Sequence, residues 1–240
     1  ITTAGISLES YAGVISYSSV TVGAADGIYI AGSRNSVDHS SAQANSAALH
    51  AFYAIGGTTN SFSVILASNP AGEAFRGYLS ANLTVDQSTA ASSSASSAFI
   101  LDGSTGARVT QLYAANTSGA AFSFSAGSHY GYASGIIAVS SGSASTVDLS
   151  QSSSYTFTDS GLRNMGSSTA NAMRLTGGSY NTISLTTATT DGNQAIYVVG
   201  STANVFTGLY AQTNGTTGTA FQNTTASDNN TISQSTFAVV

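Results

Sequence analysis

Residues 27–37 read GIYIAGSRNSV and residues 51–62 read AFYAIGGTTNSF: a small residue, an apolar one, any residue, often a second apolar one, then Gly, Ser or Thr, and then Asn. The same order returns as AFRGYLSANLTV from 74, AFILDGSTGARV from 98, AFSFSAGSHYGY from 121, AMRLTGGSYNTI from 172, AIYVVGSTANVF from 195 and AFQNTTASDNNTI from 220. A weaker copy, TVDLSQSSSYTF, begins at 146, and GISLES at 5 supplies a first one. Successive starts at 5, 27, 51, 74, 98, 121, 146, 172, 195 and 220 are 22 to 26 residues apart, so about ten copies of roughly 24 residues fill the 240-residue chain. A fixed period of this size marks a stacked repeat rather than an ordinary globular domain.

Every copy carries an apolar residue just after its start: Ile6, Ile28, Phe52, Phe75, Phe99, Phe122, Val147, Met173, Ile196 and Phe221. Within a copy the alternation has period two, with Ile28 and Ile30 on one side of Tyr29, and Ile196 and Val198 on one side of Tyr197. That is the period of a strand, not of a helix. About ten to twelve residues further on, Val37, Phe62, Val85, Val109, Tyr132, Phe157, Ile183, Val205 and Ile232 make a second apolar column. Gly and Asn cluster between the strands, where tight corners need left-handed backbone. The expected fold is all-β: one β-solenoid domain over 1–240, with 1–26 a less regular first coil and 27–240 regular coils. Coils stack at about 4.7–4.9 Å, giving a rod roughly 48 Å long.

Only 6% of the residues are charged, lysine is absent, and ten acids against five arginines give a net charge of -5. Typical domains carry about a quarter charged residues. Nucleic acid is therefore an unexpected partner, since phosphate neutralisation needs clustered Lys and Arg. A stack explains the composition, because a charge at a repeated position would face its like one rung away. The 42% of hydrophobic residues argue against disorder. No apolar run reaches the length of a membrane span. The absence of cysteine removes disulfide and thiol chemistry. An opening Ile1 in place of methionine fits a removed leader or a piece of a longer precursor.

The copies GIYIAGSRNSV, AIYVVGSTANVF and SDNNTIS resemble the parallel β-helix repeat of the pectin-lyase-like superfamily and of many microbial surface proteins, and the resemblance covers essentially the whole chain. It implies a right-handed coil, the hand that parallel crossovers also favour. Left-handed hexapeptide helices would want about 18 residues per coil. Enzymes of that superfamily are similar in clustering Asp, Arg, Lys or His on one exposed face, often with calcium. The scattered charges here depart from that pattern, so no catalytic residue carries over and no cofactor is implied.

Asp26, His50 and Glu73 each precede a repeat start in three successive coils, which predicts an exposed acid–histidine–acid ladder. Such a ladder could hold a divalent cation or move a proton; the plainer reading is mutually compensating surface charge. Asp38, His39 and Asp86 form a fainter cluster, His129 stands alone beside Tyr130, and Arg76 and Arg174 share a column four coils apart. Tyr29 and Tyr53 occupy the outward position of consecutive coils, with Arg76 and Ile100 continuing it. An aromatic stripe of that kind suits a sugar or a neighbouring rod. Asn82, Asn116, Asn214, Asn223 and Asn229 begin Asn-x-Ser/Thr sequons and are glycan candidates.

No capping helix or lysine blunts the first or last copy. The expected end-to-end interface is Ile6 and Leu8 at one end and Phe221, Ile232, Phe237 and Val239 at the other. The expected role is a non-enzymatic protomer of an extracellular or cell-surface assembly, such as a filament, sheath, surface layer or adhesive stalk, that self-associates. The alternative is a carbohydrate-binding or carbohydrate-active β-helix, of the adhesin, tailspike or polysaccharide-lyase kind. An ice-binding solenoid ranks last, with TISLTTATT from 182 its only hint.

Overall fold

A computed structural model describes residues 4–166, 169–224 and 226–240. Among them every regular element is a strand, and the paired strands run parallel, each bonded to the equivalent strand one coil away. No helix long and apolar enough to cross a membrane occurs among the described residues. The chain is a β-solenoid of ten coils.

The first face contains ten strands in chain order, from Ala4–Leu8 and Asp26–Ile30 to Gln194–Val199 and Thr219–Asn223. Its register is the one the repeat predicts, Ile6 beside Ile28, Ile28 beside Phe52, and so on to Ile196 beside Phe221. The second face runs from Val14–Ser16 to Thr231–Ser233 and the third from Ser19–Val22 to Thr236–Val239. In the fourth and fifth coils one nine-residue strand, Thr84–Ser92 and then Arg108–Asn116, spans both faces and ties them into one sheet.

Three inward columns meet in the core. Phe75, Phe99 and Phe122 lie ring on ring, with centroids 4.8 and 5.2 Å apart. The second column departs from the expected one at two places. Ala133 and Phe206 point inward, fully buried, and Tyr132 and Val205 point out, because the strands there are set by their neighbours' register and a one-residue shift reverses the faces. The third column was not anticipated. It is largely alanine: Ala42, Ala67, Ala90, Ala114, Ala138, Ala188 and Ala211 are all buried. Small side chains on this face leave room for the large rings opposite, which keeps the interior at close packing.

Stacked polar side chains close the corners. At the corner after the first face, Asn60 Oδ1 accepts from the Asn35 backbone N–H at 2.8 Å, Asn204 Oδ1 from that of Asn181 at 2.8 Å, and Asn230 Oδ1 from that of Asn204 at 2.9 Å. These bonds satisfy buried amides that would otherwise be costly. In the middle coils the asparagine position is taken by Leu83, Ala107, Gly131 and Tyr155. Gly131 has a steric reason: a Cβ there would lie 1.8 Å from the Tyr155 ring.

The corner between the second and third faces is one left-handed residue in every coil, yet only Gly135 and Gly208 are glycines there; Tyr17, His39, Val64, Gln87, Gln111, Asp159, Leu185 and Gln234 fill the rest. The conformation is held by bonds to the next coil, such as Val64 N–H to Asp86 O at 3.1 Å. A β-branched residue is the most strained occupant of such a position. Val64→Gly is expected to raise stability by roughly 0.5–1 kcal/mol, the strain relieved less the extra freedom of the unfolded glycine. Chemical denaturation measures it, and a loss of stability would refute the strain argument.

Candidate functional site

On the first face, repeat spacing places Asp26, His50 and Glu73 in adjacent coils, and the structure brings the three together. Asp26 Oδ1 accepts the His50 backbone N–H at 2.8 Å and lies 2.9 Å from His50 Nδ1; His50 Nε2 lies 3.2 Å from Glu73 Oε2. The chain continues through Arg76, whose Nη1 is 3.3 Å from Glu73 Oε2 and whose Nη2 donates to Asp102. Acid and base alternate across four coils. The expectation of an exposed ladder is corrected: Asp26 is 1% exposed and His50 9%. Flanking side chains cover the group, with the Tyr53 ring 4.4 Å from that of His50.

Burial pulls the His50 pKa down, but the hydrogen bonds and charges of Asp26 and Glu73 outweigh it and hold the imidazole above its ordinary value. An imidazolium donating to both carboxylates satisfies all three groups. Burial also raises the Tyr53 phenol, against the opposing charge of Arg76. Both His50 nitrogens are engaged by carboxylates, so neither is free to take a proton from a bound molecule in this geometry. Among the described residues no group of three or more His, Asp or Glu has the arrangement of a metal site.

Outside this chain of charges, Tyr29 meets Tyr53 edge to face at 5.7 Å, and the Arg76 guanidinium carbon lies 5.1 Å from the Tyr78 ring centroid. Three tyrosines and an arginine thus share one half-exposed patch in coils two to four. Tyr78 was not singled out from sequence; its position two residues after Arg76 on the same strand is the signal that could have found it.

Asp38, Ser63 and Asp86 do share a column. Asp38 Oδ2 is 2.7 Å from His39 Nδ1, His39 stacks on Tyr17, and Asp86 accepts from Thr110 Oγ1. These contacts are local, and Tyr17 and His39 border a shallow concavity at the corner between the second and third faces. His129 sits in a corner bridge between Thr105 and Ser153. Arg174 lies four coils from Arg76, beside Asp148. That carboxylate carries no motif in the sequence; its Oδ1 is buried with no hydrogen-bond partner among the described residues, and burial raises its pKa against the pull of Arg174.

Of the sequons, Asn82, Asn214, Asn223 and Asn229 are exposed. Asn116 is a correction: 2% exposed, it donates to Ser96 O and Ala120 O as a corner brace and is closed to a glycan in the folded chain. At the ends, Ile6 and Leu8 are half-buried against the core, and Phe221 packs on Phe206 and Phe237. Ile232, Phe237 and Val239 are 44%, 40% and 64% exposed.

No protein-family profile matches the chain, and no curated protein matches it. Solved structures share its fold. ORF18 of Geobacillus virus E2 superposes with a TM-score of 0.69 at 10% identity, over 94% of this chain and 53% of that one. The enzymatically active domain of tailspike protein 2 of bacteriophage CBA120 gives 0.58 at 10% identity, over 92% and 38%. The Dettilon tailspike protein gives 0.50 at 11% identity, over 92% and 60%. The chain therefore spans between 38% and 60% of the length of these structures.

Proposed function

We propose that this chain is a non-catalytic structural rod of an extracellular or cell-surface assembly, and that it packs side by side with a second copy. The observation that carries this reading is the row of large exposed side chains along the corners between the first and second faces, where Leu79, Tyr130 and Tyr180 are 56%, 74% and 71% exposed on a rod with few charges. Exposed apolar surface of this kind, repeated coil after coil, suits contact with a neighbouring rod. The closed chain from Asp26 to Asp102 supports the absence of catalysis, since its acids and bases are bonded to one another. A fold shared with proteins named tailspikes supports the surface setting. Sedimentation velocity tests the association. The wild type should sediment faster as concentration rises, and Tyr130→Lys/Tyr180→Lys should stay monomeric. A wild type that remains monomeric at the highest attainable concentration contradicts the reading.

A second reading, carbohydrate contact on the first face, is favoured by the Tyr29–Tyr53 pair beside Arg76 and Tyr78. Aromatic faces take the apolar side of a sugar ring while the guanidinium edge offers donors.

A further inference from the structure

We infer that a second, separate site lies on the opposite side of the rod: an axial groove along the corner between the second and third faces, shaped for an extended, neutral oligosaccharide. The inference deepens the carbohydrate reading and rests on it, but it uses none of the residues of the first-face patch. In coils four to six the groove has a volume of about 490 Å³, with Gln87, Gln111 and Gly135 along one wall and Tyr113 and Ile137 along the other. Its floor includes Leu112, which is buried. That volume lies within the range of small-molecule sites, about 300–1,000 Å³.

The chemistry of the walls selects the ligand. None of the lining residues is charged, which leaves nothing to recognise a carboxylated, sulfated or phosphorylated chain. The nearest ionisable side chain along the corner column is Asp159, one coil past Gly135, and it already accepts from Thr158 Oγ1 at 3.2 Å. The amides of Gln87 and Gln111 and the hydroxyl of Tyr113 make no hydrogen bond with the described residues, as is also true of the exposed Gln43, Gln151 and Gln234; what sets this stretch apart is that its free donors and acceptors stand beside an apolar trough formed by Leu112, Tyr113 and Ile137. Free amides beside an aromatic face and an aliphatic one suit a ring with hydroxyls at its rim and C–H groups on its faces.

The geometry repeats with the fold. Gln87, Gln111 and Gly135 occupy the same left-handed corner in consecutive coils, and Tyr113 and Ile137 are paired neighbours in adjacent strands. Equivalent positions recur about every 4.8 Å along the axis, close to the advance of one pyranose in an extended β-linked chain. A second concavity of about 420 Å³ lies on the same corner in coils one to three, against Tyr17, His39, Val64 and Leu66; because His39 there is paired with Asp38 at 2.7 Å, the wholly uncharged groove is the one in coils four to six.

The test uses cellohexaose, xylohexaose and chitohexaose as neutral probes and hexagalacturonate as a charged one, with binding read by calorimetry on the whole chain. At least one neutral probe should bind and hexagalacturonate should not. Tyr113→Ala removes one wall. Gly135→Leu fills the groove with the residue that Leu185 places at the same corner two coils away, at a φ of 46°, so the backbone accepts it. Each variant should weaken binding about tenfold, the effect of losing ~1.4 kcal/mol; Tyr113→Ala should leave the melting curve unchanged, and Gly135→Leu, at a φ of 65°, should lower the midpoint by a few degrees while the chain stays folded. Tyr29→Ala/Tyr53→Ala should leave it intact. Three results overturn the inference: no neutral probe binds; binding is lost in the Tyr29/Tyr53 variant and kept in the groove variants, which leaves the first-face reading standing; or the groove variants alter sedimentation and not sugar binding, which makes a second copy the occupant.

Discussion

Phe99→Ala is expected to lower the free energy of unfolding by about 3–5 kcal/mol, the range for deleting a fully buried ring. Phe99 is wholly inaccessible and stacked on both sides, nearly parallel to Phe75 and Phe122 at interplanar angles of 10° and 2°. The cavity would remove two ring contacts at once, and the alanines opposite are too small to collapse into it. Because each coil rests only on its neighbours, the damage should be local. Hydrogen exchange should quicken first in the coils containing Phe75, Phe99 and Phe122 and last at the far coils. Phe99→Leu, which keeps most of the volume, should cost less than half as much. Uniform loss of protection along the rod would contradict a nearest-neighbour stack.

His50→Leu is the second large effect, with an expected loss of about 3–5 kcal/mol, because removing one member of a buried ionic group strands the others. Asp26 would keep only its bond from the residue-50 backbone N–H, at a position 1% exposed, while Glu73 retains Arg76. The same site sets a pH dependence with a defined sign. The groups around the imidazole are Asp26, Glu73, Tyr53, Arg76 and Asp102, and its pKa in the folded chain lies above the ordinary 6.5. The stabilisation is therefore fully present below about pH 6.5 and is lost as pH rises through the folded value. Denaturation midpoints of the wild type should fall across that window, and those of His50→Gln should be flat there. A wild-type midpoint that rises with pH through the same window would contradict the assignment.

The sequence and the structure agree where side chains are large and part where they are small. The first inward column could be read because a bulky apolar residue follows a small one in every copy, and all nine pairings from Ile6 to Phe221 are in the expected register. The third column could not, since Ala67, Ala90 and Ala114 within LASN, TAAS and YAAN give no contrast of hydrophobicity. Their role appears only when the phenylalanines across the core are in place. The left-handed corners were expected at Gly and Asn, and the asparagine stack does stand at one of them. At the other, Tyr17, Val64 and Leu185 accept the strained conformation because bonds to the next coil fix the backbone whatever the side chain.

The candidate site divides in the same way. Spacing alone aligned Asp26, His50 and Glu73, but Arg76 and Asp102 join them through long side chains that a repeat register does not track, and burial of the group follows from the flanking tyrosines. That difference matters chemically, because an exposed ladder would invite a cation and a buried one neutralises itself.

In-register stacking of ten coils places every core column and every site contact, and the absence of native cysteine allows a direct test. Tyr197 and Gln222 are neighbours in adjacent strands, whereas Arg174 and Gln222 are two coils apart. Adjacent parallel strands lie about 4.8 Å apart, within the Cα separation a disulfide spans, and two coils do not. On mild oxidation of dilute protein, Tyr197→Cys/Gln222→Cys should form an intramolecular bond and Arg174→Cys/Gln222→Cys should not. Equal linking of both pairs, or linking of the second alone, would contradict the stacked register.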